Sequence, residues 1–185
     1  MAELTRVLLL ANVEHGQTNL MLAILHEMLL RKDVAVHIGS HPALEERLGK
    51  VLKDNASAYG SDVSTRVHFH KVAGPTMMEV FDRSGRRGAF CRSGLRGAPT
   101  GFKMCCDSVW AYEEGEYMQG YNSCMEIITV VDPAVILVDF GFMQGRDAAV
   151  NTGVPYIVMN TTSLSHVVVG LQPNGAALWK YPMYV

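Results

Sequence analysis

The sequence predicts an α/β fold, a Rossmann-like parallel sheet with helices on both faces. Three observations carry this. The apolar runs Val7 to Ala11 and Val135 to Val138 are continuous rather than alternating, as in strands covered on both sides. Stretches with apolar residues three and four apart lie between such runs. The chain has 185 residues, enough for one good core and short for two, so it reads as a single domain over 1–185.

Arg6 to Asn12 is the first predicted strand, followed by the loop Glu14-His15-Gly16-Gln17 and a helix over about Thr18 to Arg31. Met21, Leu22, Ile24, Leu25, Met28 and Leu29 give that helix a wide apolar stripe. Val34 to Ile38 is the second strand, and a unit of this length implies a parallel pair. Pro42 to Asn55 has helical spacing and Arg66 to Val72 alternates as a third strand. From Arg83 to Lys103 glycines and basic residues predict a long mobile loop. Asp107 to Val131 is helical, with Gly115 and Gly120 as weak points, and Asp132-Pro133 stops it. Val135 to Val138, ending in Asp139, is the next strand; a short helix, about Gln144 to Asn151, is closed by Gly153; Pro155 to Met159 is the last strand, again read as buried on both faces.

Ligands of an open parallel sheet bind beyond the carboxyl ends of its strands, where loops and helix N-termini converge. That rule selects Glu14, His15, Gly16 and Gln17 after the first strand, Asp139 after a later one, and Thr161 with Thr162 after the last. An imidazole can take the proton of an attacking hydroxyl while a carboxylate steadies its other nitrogen, so the set suits group transfer to an alcohol or phenol. Each residue also has a plainer reading: a loop histidine, a helix-capping aspartate, a turn threonine.

At these residues a family resemblance emerges. The strand followed by His15-Gly16-Gln17-Thr18-Asn19-Leu20-Met21-Leu22 resembles the opening of inverting UDP-glycosyltransferases of the GT-B type, fungal members especially. The stretch from Asp132 to Asp139, then Ala148-Ala149, Thr152-Gly153-Val154-Pro155 and Asn160-Thr161, is similar to a later part of the same pattern. The resemblance implies a UDP-sugar as co-substrate, inversion at the anomeric carbon, a small hydrophobic acceptor, and no cofactor or metal. It gives His15 the role of base and Asp139 that of orienting it. It sets Thr161 and Gln17 toward the donor, and Phe140, Phe142, Met77, Met78 and Trp110 around the acceptor. Aligned on Asn19, however, Gln17 takes the place of the family's histidine, and glutamine is no base. His15 is then the base if the short loop, with Gly16 free to take unusual angles, carries it into position; otherwise the chain binds without turnover. Family members continue into a second, donor-binding domain. This sequence stops at Val185 without one, which implies a truncated or partial enzyme, a separate donor-domain partner, or an inactive binding domain of small-molecule or partner-docking type.

Other motifs lead less far. No glycine-rich phosphate loop follows the first strand. Cys91 to Arg96 approaches a phosphatase signature, but its arginine falls one residue early. Arg83, Arg86, Arg87, Arg92, Arg96 and Lys103 could attract phosphate, yet with a net charge of -2 and few interleaved aromatics the expectation is a solvated loop and no nucleic-acid partner. His68 and His70 share a strand face with Arg66, and their spacing to Cys105 and Cys106 matches no zinc pattern. Four unpaired cysteines, the lack of a signal-like start and of any membrane-length apolar run point to a cytoplasmic protein.

Overall fold

A computed structural model describes residues 4–60, 62–83, 99, 100, 103 and 111–161. The chain divides into two compact units, Met1–Thr76 with Glu113–Thr161, and Met77–Tyr112 with Thr162–Val185. In the first unit the chain runs β1 (Thr5–Leu10), α1 (His15–Leu30), β2 (Val34–Ser40), α2 (Ala43–Asp54), α3 (Ala56–Tyr59), α4 (Val63–Arg66) and β3 (Val67–Lys71). In the second unit, α5 covers Met77–Arg83. The first unit resumes with α6 (Glu114–Val131), β4 (Val135–Asp139), α7 (Met143–Thr152) and β5 (Tyr156–Met159).

Among the described residues five strands form one sheet in the order β3-β2-β1-β4-β5, every pair parallel. Alternate residues of β1, and Ala11 just past it, therefore serve different cores. Val7, Leu9 and Ala11 pack with Met21, Leu25 and Leu29 of α1, Leu44 and Leu48 of α2, and Tyr59. Leu8 and Leu10 pack with Cys124, Ile127, Ile128 and Val131 of α6 and with Ala148 and Ala149 of α7. A strand buried on both faces needs no polar residue at any position, which is why β1 reads as an unbroken apolar run. Each fully buried leucine contributes about 2 kcal/mol by removal from water. Gly39 on β2 is dictated by this packing, since a Cβ there would lie 2.7 Å from Cδ2 of Leu10. β5 departs from the expectation of burial on both faces: as an outermost strand among the described residues, it leaves Tyr156, Ile157 and Val158 exposed.

Helix boundaries follow local chemistry. α6 opens on a reciprocal cap, in which the Glu113 side chain accepts from the backbone three residues on and the Glu116 carboxylate accepts from Glu113 N at 3.2 Å. It closes at Asp132 in the left-handed region, φ 46°, just before Pro133. Of the helix predicted over Asp107 to Val131, residues 107–110 lie outside the described residues and α6 begins at Glu114. α7 ends on Gly153 at φ 71°. α1 starts three residues earlier than its apolar pattern, taking in His15, Gly16 and Gln17, so Gly16 adopts ordinary helical angles and its freedom goes unused.

Arg66 also moves. It is the last residue of α4, not a member of the His68 and His70 face. Its buried guanidinium donates to the carbonyls of Arg31 (2.7 Å), Leu29 (3.3 Å) and Tyr59 (3.2 Å) and to Asp62 (3.0 Å). The predicted loop lies almost wholly outside the described residues, as do Trp110, Cys91, Cys105 and Cys106. Among the described residues no helix is long and apolar enough to cross a membrane, and no group of three or more His, Cys, Asp or Glu side chains is arranged to hold a metal ion.

Candidate functional site

The strand order reverses direction between β1 and β4: the chain leaves β1 toward α1 on one face and β4 toward α7 on the other. These two turns diverge at the carboxyl edge of the sheet, and in doubly wound folds the crevice at such a switch point is where ligands bind. Asp139, the last residue of β4 and only 2% exposed, accepts from Asn12 N beyond β1 at 3.4 Å and from Gly141 N in its own turn at 2.9 Å. Burial pushes its carboxyl above the ordinary range, and the two amide donors oppose that shift.

Around this link the turns are tightly determined. The Thr18 hydroxyl lies 2.8 Å from the carbonyls of both Asn12 and Glu14, tying the first turn of α1 back to the end of β1. Ser40, at the end of β2, donates to the Ala11 carbonyl at 2.7 Å. Gln17 lays its side chain over Gly141. A Cβ at 141 would stand 3.0 Å from the Gln17 amide carbon and collide with its nitrogen, so close approach rather than backbone angle demands glycine there. The Gln17 Oε1 is buried and accepts no hydrogen bond among the described residues.

The sequence-predicted residues therefore divide. Asp139 and Gln17 meet, through Gly141, at the crevice. His15 is exposed on the first turn of α1 and makes no hydrogen bond to Asp139, whose bonds go to backbone amides instead. Thr161 is exposed just past β5, which neighbours β4. Phe140 is 43% exposed, with the Arg146 guanidinium 5.8 Å from its ring centre. Phe142, expected to line the acceptor pocket, is instead a core residue: it is 2% exposed, and a Cβ on Gly145 would lie 2.6 Å from its ring, which leaves it no free face. Met77 and Met78 are half-buried at the start of α5 in the second unit, and Trp110 lies outside the described residues. Two surface clefts, of about 620 Å³ against α1 and 400 Å³ at the amino edge of the sheet, are remote from the crevice.

Sequence reasoning missed His41 and Asn12. His41 follows the last residue of β2, is 3% exposed, and sets its ring edge-on to Phe142 at 5.8 Å. The strand-tip rule applied to β2 would have found it.

Comparison with known proteins agrees with this fold. The chain matches no family model. It is 24% identical over 177 residues to the glycosyltransferase sdnJ of Sordaria araneosa, covering 92% of this chain and 35% of that protein. Among solved structures it is similar to the glycosyltransferase SsfS6 of Streptomyces sp. SF2575, with a TM-score of 0.53, 14% identity, and coverage of 84% of this chain and 39% of that one. It is also similar to the glycosyltransferase VinC, solved in complex with dTDP, with a TM-score of 0.54, 12% identity, and coverage of 92% and 40%. The chain thus spans about a third of the curated relative it matches and about two fifths of each of these structures. In sequence it is glycosyltransferase-like, and in fold it resembles the N-terminal half of a GT-B type glycosyltransferase.

Proposed function

We propose that this chain is the acceptor-side part of a glycosyltransferase that moves a sugar from a nucleoside diphosphate to a hydroxyl of a small hydrophobic acceptor, with inversion. The observation that carries this reading is the crevice between β1 and β4, cross-linked by Asp139 to Asn12 and Gly141. In the reaction the acceptor oxygen bonds to the anomeric carbon, the bond from that carbon to the diphosphate breaks, and the acceptor proton goes to a base. His15 is the base in this reading, since Gln17 has no nitrogen lone pair to offer. Asp139 is a positioning residue, fixing the two turns rather than the imidazole. In this reading Phe140 supplies apolar acceptor surface, while Thr161 and Gln17 face the donor. No metal takes part. The donor is a UDP-sugar by resemblance; VinC with dTDP makes a thymidine sugar the second donor to test. Donor binding needs a further domain, joined to this one or supplied as a separate chain.

A second reading rests on Gln17 lying over Gly141, with no bond between His15 and Asp139: a domain that binds the acceptor without turning it over. Titration calorimetry with phenolic acceptors, alongside a transfer assay with UDP-glucose and TDP-glucose, separates the two. Product formation that falls at least a hundredfold in His15→Ala supports transfer. Acceptor binding with no product from either donor, with and without an added donor domain, establishes the binder. Unchanged transfer by both His15→Ala and Asp139→Asn would remove these residues from the mechanism.

A further inference from the structure

At the outer side of the sheet, β2 and β3 pair in register with His37 opposite His68 and Gly39 opposite His70. Three imidazoles gather there. The His37 ring stacks on His68 at 4.7 Å and on His70 at 5.2 Å, each at 25° between planes. Nδ1 of His37 lies 3.0 Å from Nε2 of His70. That contact holds only if one nitrogen carries a proton and the other offers a lone pair. A neutral pair meets the condition, and so does a pair with one extra proton. With a second extra proton both nitrogens are N–H donors, the hydrogen bond is gone, and two like charges are left stacked a few ångströms apart.

Among the described residues, the surroundings do nothing to relieve that repulsion. Of the strands packed against β2 on this side, β1 contributes Arg6, a further positive charge, already paired with Asp132 at 2.9 Å. On β3, Lys71 points away and pairs with Glu45 at 3.3 Å. Beside β2, α6 presents Ile127, which lies against Gly39, and Ser123, which accepts from Ala73 N; its exposed Glu126 pairs with none of the three imidazoles. Among the described residues no carboxylate bonds to these histidines. Burial, followed by the neighbouring imidazoles, lowers His37 to about 4 and depresses His70.

We propose that His37, His68 and His70 form a proton-operated latch between β2 and the outer strand β3, closed while the His37–His70 pair holds no more than one extra proton and released when it takes a second. The predicted consequence is selective. Acidification should loosen β3 before it loosens β1, which lies between β2 and β4 and has no histidine on it.

Hydrogen exchange on the 185-residue chain tests this, with rates corrected for the intrinsic effect of pH. Between pH 7 and pH 4, protection of the Val67–Lys71 amides should fall at least tenfold more than that of the Thr5–Leu10 amides. In His70→Gln the two strands should respond alike. Equal loss in both strands of the unaltered chain, or a selective loss that survives in His70→Gln, would overturn the latch. The exposed His68→Gln keeps the His37–His70 contact and removes one neighbouring charge. Its His37 ring, followed by NMR, should take up its proton at higher pH than in the parent, and an unmoved titration counts against the proposal.

Discussion

Asp139 and Arg66 are equally buried, 2% exposed each, and stand at opposite ends of the sheet. Arg66, just before β3, spends its donors on three backbone carbonyls and a carboxylate, so little of its hydrogen-bonding capacity is left over. Asp139, at the end of β4, accepts from two amides, one of them at a long 3.4 Å, though a carboxylate has about four acceptor sites. The first group is consumed by the fold, whereas the second keeps acceptor capacity in reserve at the crevice. A buried charge marks a functional position only when its partners leave something over.

Four measurements press on this contrast. Arg66→Met strips donors from three carbonyls and should cost about 3–5 kcal/mol in urea unfolding; a loss under 1 kcal/mol would show that the guanidinium is not the tie it looks to be. Asp139→Ala should cost about 2 kcal/mol, because only two amide bonds go; a cost equal to that of Arg66→Met would erase the distinction. Gly141→Ala, which forces Gln17 aside, should cost about 1 kcal/mol and disturb acceptor binding in calorimetry more than stability. Arg6→Ala, breaking an ion pair whose Asp132 partner is 80% exposed, should change stability by less than about 0.5 kcal/mol.

The pH dependence sharpens the comparison further. Because the folded-state value of Asp139 is raised, the folded chain holds more proton than the unfolded one between the ordinary carboxylate value and the raised value. This group's contribution therefore falls as pH rises through that window. Asp139→Asn should remove that slope. His37 has the opposite sign: lowered to about 4, it leaves the unfolded chain with more proton between about 6.5 and that value, and stability is lost as pH falls. Denaturation midpoints at pH 4, 5, 6 and 7 for Asp139→Asn and His37→Gln separate the two.

The strands were legible because double-sided burial leaves a mark at every position: β1, β2 and β4 fall within two residues of their apolar runs. Asp139 was legible for a related reason, since an acid ending an apolar run lies at the carboxyl edge whatever else it does. Side-chain partnerships were not. The start of α1 escaped notice because Glu14 offers no side-chain cap and His15-Gly16-Gln17 has no apolar period. His37 sits in a strand that otherwise reads as core, and its partners come from a strand 33 residues later in the His70 contact. Phe142 looked like pocket lining because it follows a strand tip; the turn around Gly141 rotates it inward. Arg66 looked like the first residue of a strand, and a one-turn helix claims it.

The strand order also has a consequence for synthesis on the ribosome. β1 leaves the exit tunnel before the other described strands and gains its neighbour β2 within a few dozen residues, but its other edge stays unpaired until β4 arrives, after more than a hundred residues of chain. At about 5–20 residues per second that is a delay of roughly 5–25 s, during which a leucine-rich edge is open to any passing strand. Faster elongation shortens that exposure, and a chaperone's cover would shield it, at the strand in the middle of the order.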